Sequence, residues 1–257
     1  MADGIYYETT SEIDGAPLVV IFRGRKAALR ELRDGSNRGA NSKTGAMVQS
    51  YILRADVAPG EAANTGADAS VCGDCEHRPA LVRGGNGAAR CYVNLAHGPR
   101  VCFDAYKRGS YRRVTDLRDI AAYCAGVPVR GGSYGDPGAV HPSLWFAAFS
   151  LASERTGYSH RWRDTGRELR GLVMASVDSV AERDEALAAG WATFRVAATR
   201  EAARARISGE AQCPASAEAG KRVTCSTCPL KCDGSTGGRV IIDHGPGGEG
   251  RRIARAV

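Results

Sequence analysis

The 257-residue sequence contains no run of eighteen or more apolar residues, so it predicts no membrane-spanning helix and no membrane partner. Its first segment, MADGIYYETTSEIDG, is acidic and polar and lacks the basic and then apolar regions of a secretory signal, so we expect a cytoplasmic protein. Nine cysteines in such a chain argue against a disulfide framework and favour metal binding, because the cytoplasm keeps thiols reduced.

Several catalytic motifs are also missing. The chain has no GxGxxG followed by a helix and an acid, and no HExxH. The segment NSKTG at residues 41–45 is similar in composition to a phosphate-contacting loop but lacks the full GxxxxGK[ST] arrangement of an NTPase. The CxxxCxxC order of radical enzymes is absent too, since the two- and three-residue gaps occur here in the reverse order.

The charge of the chain is positive, with a formal net charge of +7 that comes largely from arginine in segments such as YKRGSYRRV and EAARARI. A basic balance is consistent with a polyanionic partner such as nucleic acid. The alternative explanation is the Ala-, Gly- and Arg-rich composition of a GC-rich genome.

Apolar residues make up 43% and charged residues 25% of the chain, which suits a globular protein with a real core. We divide it into a loop-rich part, residues 1–98, packed on the same domain as a catalytic part, residues 99–257, in which strands and helices alternate. Apolar runs such as LVMAS and VIID predict strands buried on both faces. This pattern predicts an α/β fold with a parallel sheet, and length and strand count favour a (β/α) barrel or an incomplete one, with cysteine-rich metal-binding loops.

Local signals place the elements. Strands are expected in APLVVIFRG, AMVQSYILRAD, VPVRGGSY, YSHRW, ELRGLVMASVD, WATFRVA, AQCPAS and GRVIIDHG, and helices in KAALRELRDG, RVCFDAYKRG, VTDLRDIAAYCAG, PSLWFAAFSLASERTG, SVAERDEALAAG and TREAARARISG. Thr115 is the expected N-cap of the third of these helices. Ser179 with Glu182 forms a capping box for the fifth.

The most specific motif is a late cysteine cluster, Cys225-x2-Cys228-x3-Cys232. A tetrahedral zinc site needs four soft ligands, so a fourth must come from elsewhere. Cys213 is preferred and His244 is second, because both lie at the ends of predicted neighbouring strands. Zinc is favoured, although this ligand set also suits an iron–sulfur cluster.

A second candidate metal site is formed by Cys72, Cys75 and Cys91 in the early, irregular segment. The sequence VCGDCEHRP is typical of a zinc knuckle, and His77, His97 or Cys102 could supply its fourth ligand. Two cysteines packed under a loop would give the same pattern. Cys124 lies on the apolar face of a helix and is expected to be an ordinary core residue.

Catalytic groups collect at the carboxyl ends of strands in parallel α/β folds. Three aspartates follow predicted strands and are the candidate catalytic residues: Asp136, Asp178 and Asp243. Aromatic and guanidinium planes stack on nucleobases. The candidate substrate-binding residues are therefore Tyr134, Tyr158, His160 and Arg195. Each also has a structural alternative, as a turn residue, a cap or part of the core.

Strand-end acids in a barrel, followed by late cysteines, resemble the tRNA-guanine transglycosylases and their smaller bacteriophage relatives, which insert 7-deazaguanine bases into DNA. In this family the zinc ligands are three clustered cysteines and a downstream histidine, an order matched by Cys225, Cys228, Cys232 and His244. The family's two aspartates, a nucleophile and an acid/base, correspond best to Asp136 and Asp178. The family's DSGGF segment is absent, and GSYGDP stands in its place.

The resemblance implies a zinc-bearing transferase that replaces guanine in nucleic acid, with DNA the expected polymer, by a free 7-deazaguanine through an aspartyl–sugar intermediate. If a phage encodes it, the host cytoplasm is its location. Two alternatives remain: a radical-type iron–sulfur enzyme on a similar barrel, and a non-catalytic, zinc-bearing nucleic-acid-binding protein.

Elemental analysis of protein purified under reducing conditions tests the metal prediction. We expect at least one zinc per chain, because the late cysteines offer a nearly complete ligand set. Metal-free folded protein would contradict it, and several irons per chain with a brown colour would favour the iron–sulfur alternative.

Overall fold

The computed structural model describes residues 3–36, 41, 43–78, 91–204, 207–216, 219–235 and 237–242. The strands of this part of the chain are β1 (Gly4–Thr10), β2 (Pro17–Arg23), β3 (Val48–Arg54), β4 (Arg112–Arg113), β5 (Pro128–Tyr134), β6 (Glu154–Ser159), β7 (Met174–Val177), β8 (Thr193–Ala197), β9 (Glu210–Gln212) and β10 (Gly238–Ile242). The α-helices are α1 (Arg25–Asp34), α2 (Pro59–Thr65), α3 (Ala69–Cys72), α4 (Gly98–Lys107), α5 (Leu117–Cys124), α6 (Pro142–Ser150), α7 (Val180–Ala188) and α8 (Arg200–Arg204). Short 3₁₀ turns cover Pro137–Ala139, Arg167–Leu169 and Cys225–Thr227.

All ten strands belong to one sheet, in the order β4-β1-β2-β3-β5-β6-β7-β8-β10-β9. The first three strands are antiparallel, with Gly4 opposite Arg23 and Leu18 opposite Arg54. From β3 to β9 each neighbouring pair is parallel, and β4 is parallel to β1. The predicted α/β class with a mostly parallel sheet is confirmed. A closed barrel is not, because β4 and β9 have no pairing with each other in the described residues.

Burial explains the central strands. In β2 the five residues from Leu18 to Phe22 are fully buried, and every residue of β7 and β10 is buried as well. Strands covered on both faces have continuous apolar sequences of this kind. The helices that follow β5, β7 and β8 supply part of that cover.

Most predicted elements are present, with shifts at their ends. β1 was not predicted, because GIYYETT alternates only weakly and contains exposed residues. The helix expected in VTDLRDIAAYCAG is capped by Asp116 rather than Thr115, since the Asp116 carboxylate accepts the backbone N–H of Arg118 at 2.8 Å. The strand expected in YSHRW begins earlier, at Glu154. The capping of α7 by Ser179 is confirmed, with its hydroxyl accepting the N–H of Glu182 at 3.1 Å.

The carboxyl end of β5 is joined to the early cysteine segment by a backbone hydrogen bond, from Asp136 N to Val71 O at 2.7 Å. The turn before it needs Gly135, whose φ of +80° is in the left-handed region. A Cβ there would also lie 2.7 Å from the Cβ of Ile52. This close approach places α3 and its Cys72 above the strand ends.

Within the described part of the chain, no helix has both the length and the apolar character needed to cross a bilayer.

Trp145 of α6 is central to the core. It is fully buried, stacks on Phe149 with ring centroids 5.7 Å apart, and donates its indole N–H to Pro137 O at 2.8 Å. Its helix thereby holds the turn that follows β5.

Trp145→Ala should lower the free energy of unfolding by about 3–5 kcal/mol, because it leaves a cavity in the core and removes the hydrogen bond to Pro137 O. Chemical denaturation measures this. The control is Phe146→Ala, one residue along the same helix but 51% exposed, with an expected change of about 0.5 kcal/mol. Equal effects for the two variants would contradict the packing described here.

Candidate functional site

A cavity of about 190 Å³ opens at the carboxyl ends of the parallel strands. Its strand-derived lining comes from β5 to β8 and β10: Arg130, Gly132, Ser133, Tyr134, Tyr158, Ser176, Phe194, Val196, Ile241 and Ile242. Successive strand residues point to opposite faces, so Phe194 and Val196 face the cavity together. A pocket in this position is the default ligand site of an open parallel sheet.

Loops complete the pocket. The early segment contributes Cys72, Cys75, His77, Cys91 and Tyr92, and the NSKTG loop contributes Lys43. Backbone hydrogen bonds fix the cysteine loop, since Arg78 N donates to Cys75 O and Cys91 N donates to His77 O, both at 3.1 Å. Burial raises the pKa of Cys72 and of Cys91. The early cysteines therefore line the pocket and do not form a structural site distant from it.

The loop is also held by the buried Arg78 guanidinium. It donates to Asp68 Oδ1 at 2.6 Å, to Gly66 O at 2.9 Å and to Gly73 O at 2.5 Å. Charge-assisted bonds of this kind are stronger than neutral ones, so the segment that carries Cys72, Cys75 and His77 has a fixed position.

Asp136 lies on the pocket wall at the end of β5 and is only 7% exposed. Its Oδ1 accepts the N–H of Gly138 at 2.8 Å and the hydroxyl of Ser159 at 2.6 Å, and its Oδ2 accepts the N–H of His160 at 2.7 Å. Three donors fix the orientation of the carboxylate and tie the ends of β5 and β6 together.

Asp178, after β7, lies between two histidines. Its Oδ1 is 2.9 Å from His77 Nε2, and its Oδ2 is 3.6 Å from His160 Nε2, a distance of an ion pair rather than a hydrogen bond. The two imidazole rings meet edge to face with centroids 5.5 Å apart. Residues separated by 101 positions in the chain thus form one cluster at the strand ends.

Electrostatics makes the cluster an ion pair. Burial alone would raise the pKa of Asp178, but the neighbouring His160 and His77 hold it well below its usual range. Burial would lower the pKa of His160, yet the Asp178 carboxylate and the Cys75 thiol raise it well above the ordinary value. An imidazolium beside a carboxylate is therefore the favoured state.

The same cluster has metal-binding capacity. The ligand atoms of His77, His160 and Asp178 lie within 4.8 Å of one another, and imidazole and carboxylate are common ligands of zinc and other transition metals. Among the described residues it is the one group of three or more that is so compact, and neither cysteine set brings three sulfur atoms that close.

The late cysteines lie beside the pocket. Cys213 and Cys225 line it, Cys228 is buried, and Cys232 is half-buried. Burial raises the pKa of Cys213 and Cys225, and that of Cys232 to about 12, so a metal ion would have to displace the thiol protons. The zinc site stays a prediction, and His244 and Asp243 lie outside the described residues.

Three of the four predicted substrate-binding residues line the pocket, and one does not. Tyr134, Tyr158 and His160 line the pocket, and the Tyr158 ring packs on Phe194 with centroids 4.4 Å apart. Arg195 does not line it. Its guanidinium is buried against Glu210, with contacts of 2.9 and 2.7 Å, because Arg195 alternates with the inward-facing Phe194.

Sequence reasoning missed Arg130, Lys43, Tyr92 and Phe194 as pocket residues. The sequence could have indicated Arg130, because it is a charged residue inside the otherwise apolar start of β5. It could also have indicated Phe194, because the period of two in WATFRVA sets Phe194 and Arg195 on opposite faces. His77 was named only as an optional metal ligand, and nothing local indicates its pairing with Asp178.

Comparisons with models of known protein families, with curated protein sequences and with solved structures found no match for this chain. Its function is therefore argued from the geometry of the pocket.

Asp178→Asn should lower the pKa of His160, because a neutral amide no longer stabilises the imidazolium. NMR titration of chelator-treated protein measures this, since the chain has five histidines to assign. The His160 pKa is raised in the folded protein, so its ring should stay protonated to higher pH in the wild type than in the variant. His141→Gln, at the exposed start of α6, is the control and should leave the His160 titration unchanged. Identical His160 curves in wild type and Asp178→Asn would refute the ion pair.

Proposed function

We propose that the protein is a base-exchange transglycosylase that replaces guanine in nucleic acid, with DNA the expected polymer, by a free 7-deazaguanine. The observation that supports this most is Asp136, a carboxylate oriented by three hydrogen bonds on the wall of an aromatic-lined pocket. Carboxylates at this edge of a parallel sheet are well placed for reaction with a bound substrate.

The pocket suits a flat, flipped-out base. Tyr134, Tyr158 and Phe194 provide aromatic surface, and the apolar Ile241 and Val196 complete that wall. Enzymes that act on a base within a polymer must take it out of the stack into such a pocket. The positive net charge of the chain would favour the approach of the polymer.

Asp136 is assigned as the nucleophile, because it lines the pocket whereas the carboxylate of Asp178 is engaged by two histidines. Its Oδ2 accepts one hydrogen bond and Oδ1 accepts two, so Oδ2 is the more available oxygen. Oδ2 attacks C1′ of the sugar, and the C1′–N9 bond breaks with its electron pair leaving on guanine. The incoming base then attacks C1′ and releases the carboxylate, which divides one difficult displacement into two.

His160 is assigned to the proton of the leaving and entering bases. Its ring lines the pocket, its backbone N–H is bonded to Asp136, and Asp178 lies beside its Nε2. A positioned acid or base of this kind contributes about 10²–10⁴-fold to rate. Asp178 acts as a positioning residue for the two imidazole rings.

We further infer that the sheet is an incomplete (β/α) barrel, since β5 to β8 follow one another in chain order and are parallel. The late cysteines, Cys225, Cys228 and Cys232, with Cys213 or else His244 as the fourth ligand, would hold a structural zinc that fixes their loop against the pocket. We place the reaction in the cytoplasm, that of the host if a phage encodes the protein.

The test is a trapped adduct. Protein is incubated with guanine-containing DNA or RNA oligonucleotides, with and without 7-deazaguanine, and denaturing gels are examined for a covalent complex. We expect the wild type to form one and to incorporate labelled 7-deazaguanine. Asp136→Asn should form none, and Asp178→Asn should exchange at least about 100-fold more slowly.

Asp119→Asn, a surface carboxylate with a side chain 46% exposed, is the matched control and should behave as wild type. Circular dichroism confirms that each variant is folded. Absence of adduct and of exchange with both polymers, or exchange by Asp136→Asn at the wild-type rate, would contradict the proposal.

One observation favours a second candidate. Cys72, Cys75 and Cys91 line the same pocket as Asp136, as the ligands of a catalytic iron–sulfur cluster would. Reconstituted protein with visible absorbance and several irons per chain would support a radical-type enzyme over base exchange.

A further inference from the structure

Arg130, on the inner face of β5, is a buried cation that has no acidic partner within the described part of the chain. It is 7% exposed and lines the pocket. Its Nη2 donates to the Tyr92 hydroxyl at 2.7 Å, and its guanidinium lies 5.8 Å from the centroid of the Tyr158 ring. Its Nε is buried with no hydrogen-bond partner among the described residues.

The other buried arginines of the described chain are compensated. Arg78 pairs with Asp68, Arg183 with Asp184, and Arg195 with Glu210. Arg239 donates to backbone carbonyls, including Gly238 O at 2.9 Å. Arginine stays protonated in proteins, and a buried charge is costly unless it is paired. Arg130 thus shares with Arg239 the lack of a described carboxylate partner, but Arg130 lines the pocket and Arg239 does not.

Lys43 brings a second positive charge to the same wall. The backbone at Lys43 and Thr44 is fixed, since Cys225 N donates to Lys43 O at 3.1 Å and Ser226 N donates to Thr44 O at 2.9 Å. Asn41 Oδ1 accepts the N–H of Lys43 at 2.9 Å. The Lys43 ammonium lies 6.0 Å from the centroid of the same Tyr92 ring whose hydroxyl contacts Arg130. The two cations therefore flank one side chain at the pocket.

We propose that Arg130 and Lys43 form an anion subsite of the pocket that binds a phosphate ester of the substrate. The proposal rests on the proposed function, in which the target guanosine carries phosphates on its sugar. The unpartnered Nε–H of the Arg130 guanidinium can donate to a phosphate oxygen, and Lys43 adds a point charge. The aromatic wall would then hold the base and this basic side the phosphate.

A phosphate ester of this kind occurs both in a free nucleotide and in the backbone of a nucleic acid. Affinities of full-length protein are measured by calorimetry at one fixed salt concentration for deoxyguanosine, 5′-dGMP, inorganic phosphate and a short guanine-containing single strand. We expect the wild type to bind 5′-dGMP or the strand at least about tenfold more tightly than deoxyguanosine. Tight binding of 5′-dGMP identifies a nucleotide phosphate, and tight binding of the strand alone identifies the polymer backbone.

Arg130→Met should abolish the advantage of the phosphorylated ligand, measured as the ratio of its affinity to that of deoxyguanosine in the same variant. Arg130→Lys should retain part of this advantage. Lys43 is a half-buried loop residue, and Lys43→Met should reduce the advantage about threefold. Arg118→Met, whose side chain is 92% exposed, is the control for unspecific charge effects and should bind as wild type. If Arg130→Met does not fold, Lys43→Met and the rise in Tm of wild-type protein with phosphate still decide the question.

Equal wild-type affinity for deoxyguanosine and its phosphorylated forms would overturn the proposal. It would also be overturned if Arg130→Met lost bound metal while phosphate discrimination persisted, since Arg130 would then balance a metal–thiolate centre at Cys225. Phosphate discrimination without base exchange would refute the transglycosylase alone. Base exchange without phosphate discrimination would refute this subsite alone.

Discussion

The hydrogen bonds around Asp136 hold the pocket together. The carboxylate accepts donors from the turn after β5 and from the end of β6, and the backbone N–H of the same residue binds the carbonyl of Val71 beneath the early cysteine loop. Three segments, the turn after β5, the end of β6 and α3, therefore meet at this one residue. This arrangement also sets the position of His160, because its backbone N–H donates to Asp136 while its ring faces the pocket.

Charge is distributed unevenly around the cavity. One side carries carboxylates and two imidazoles, which compensate one another in the Asp178 cluster. Arg130 and Lys43, which both contact Tyr92, carry positive charge and have no acidic partner among the described residues. Aromatic rings lie in the same lining. A ligand with a flat ring and an anionic group matches this combination better than a purely apolar or a purely cationic molecule, and a nucleotide has both parts.

The sequence predicted what short-range patterns encode. Continuous apolar runs identified β2, β7 and β10, and the Ser179 cap identified the start of α7. The rule that strand ends gather catalytic groups brought Asp136, Tyr134, Tyr158 and His160 to one pocket. Contacts between residues that are distant in sequence could not be predicted from these patterns. The contact of His77 with Asp178 joins positions 101 residues apart, and the antiparallel start of the sheet depends on pairing that no local period encodes. Arg195 was misplaced because its charge was considered without the alternation of its strand.

The central claim is that Asp136 forms a bond to the sugar of the substrate, and mass spectrometry of peptides from protein denatured during turnover tests it directly. The account predicts a sugar-linked fragment of the nucleic acid on the peptide containing Asp136, and loss of that mass when 7-deazaguanine is added in excess. A modified peptide that maps to Asp178, to Cys75 or to any other residue, or no modified peptide during measurable exchange, would contradict it.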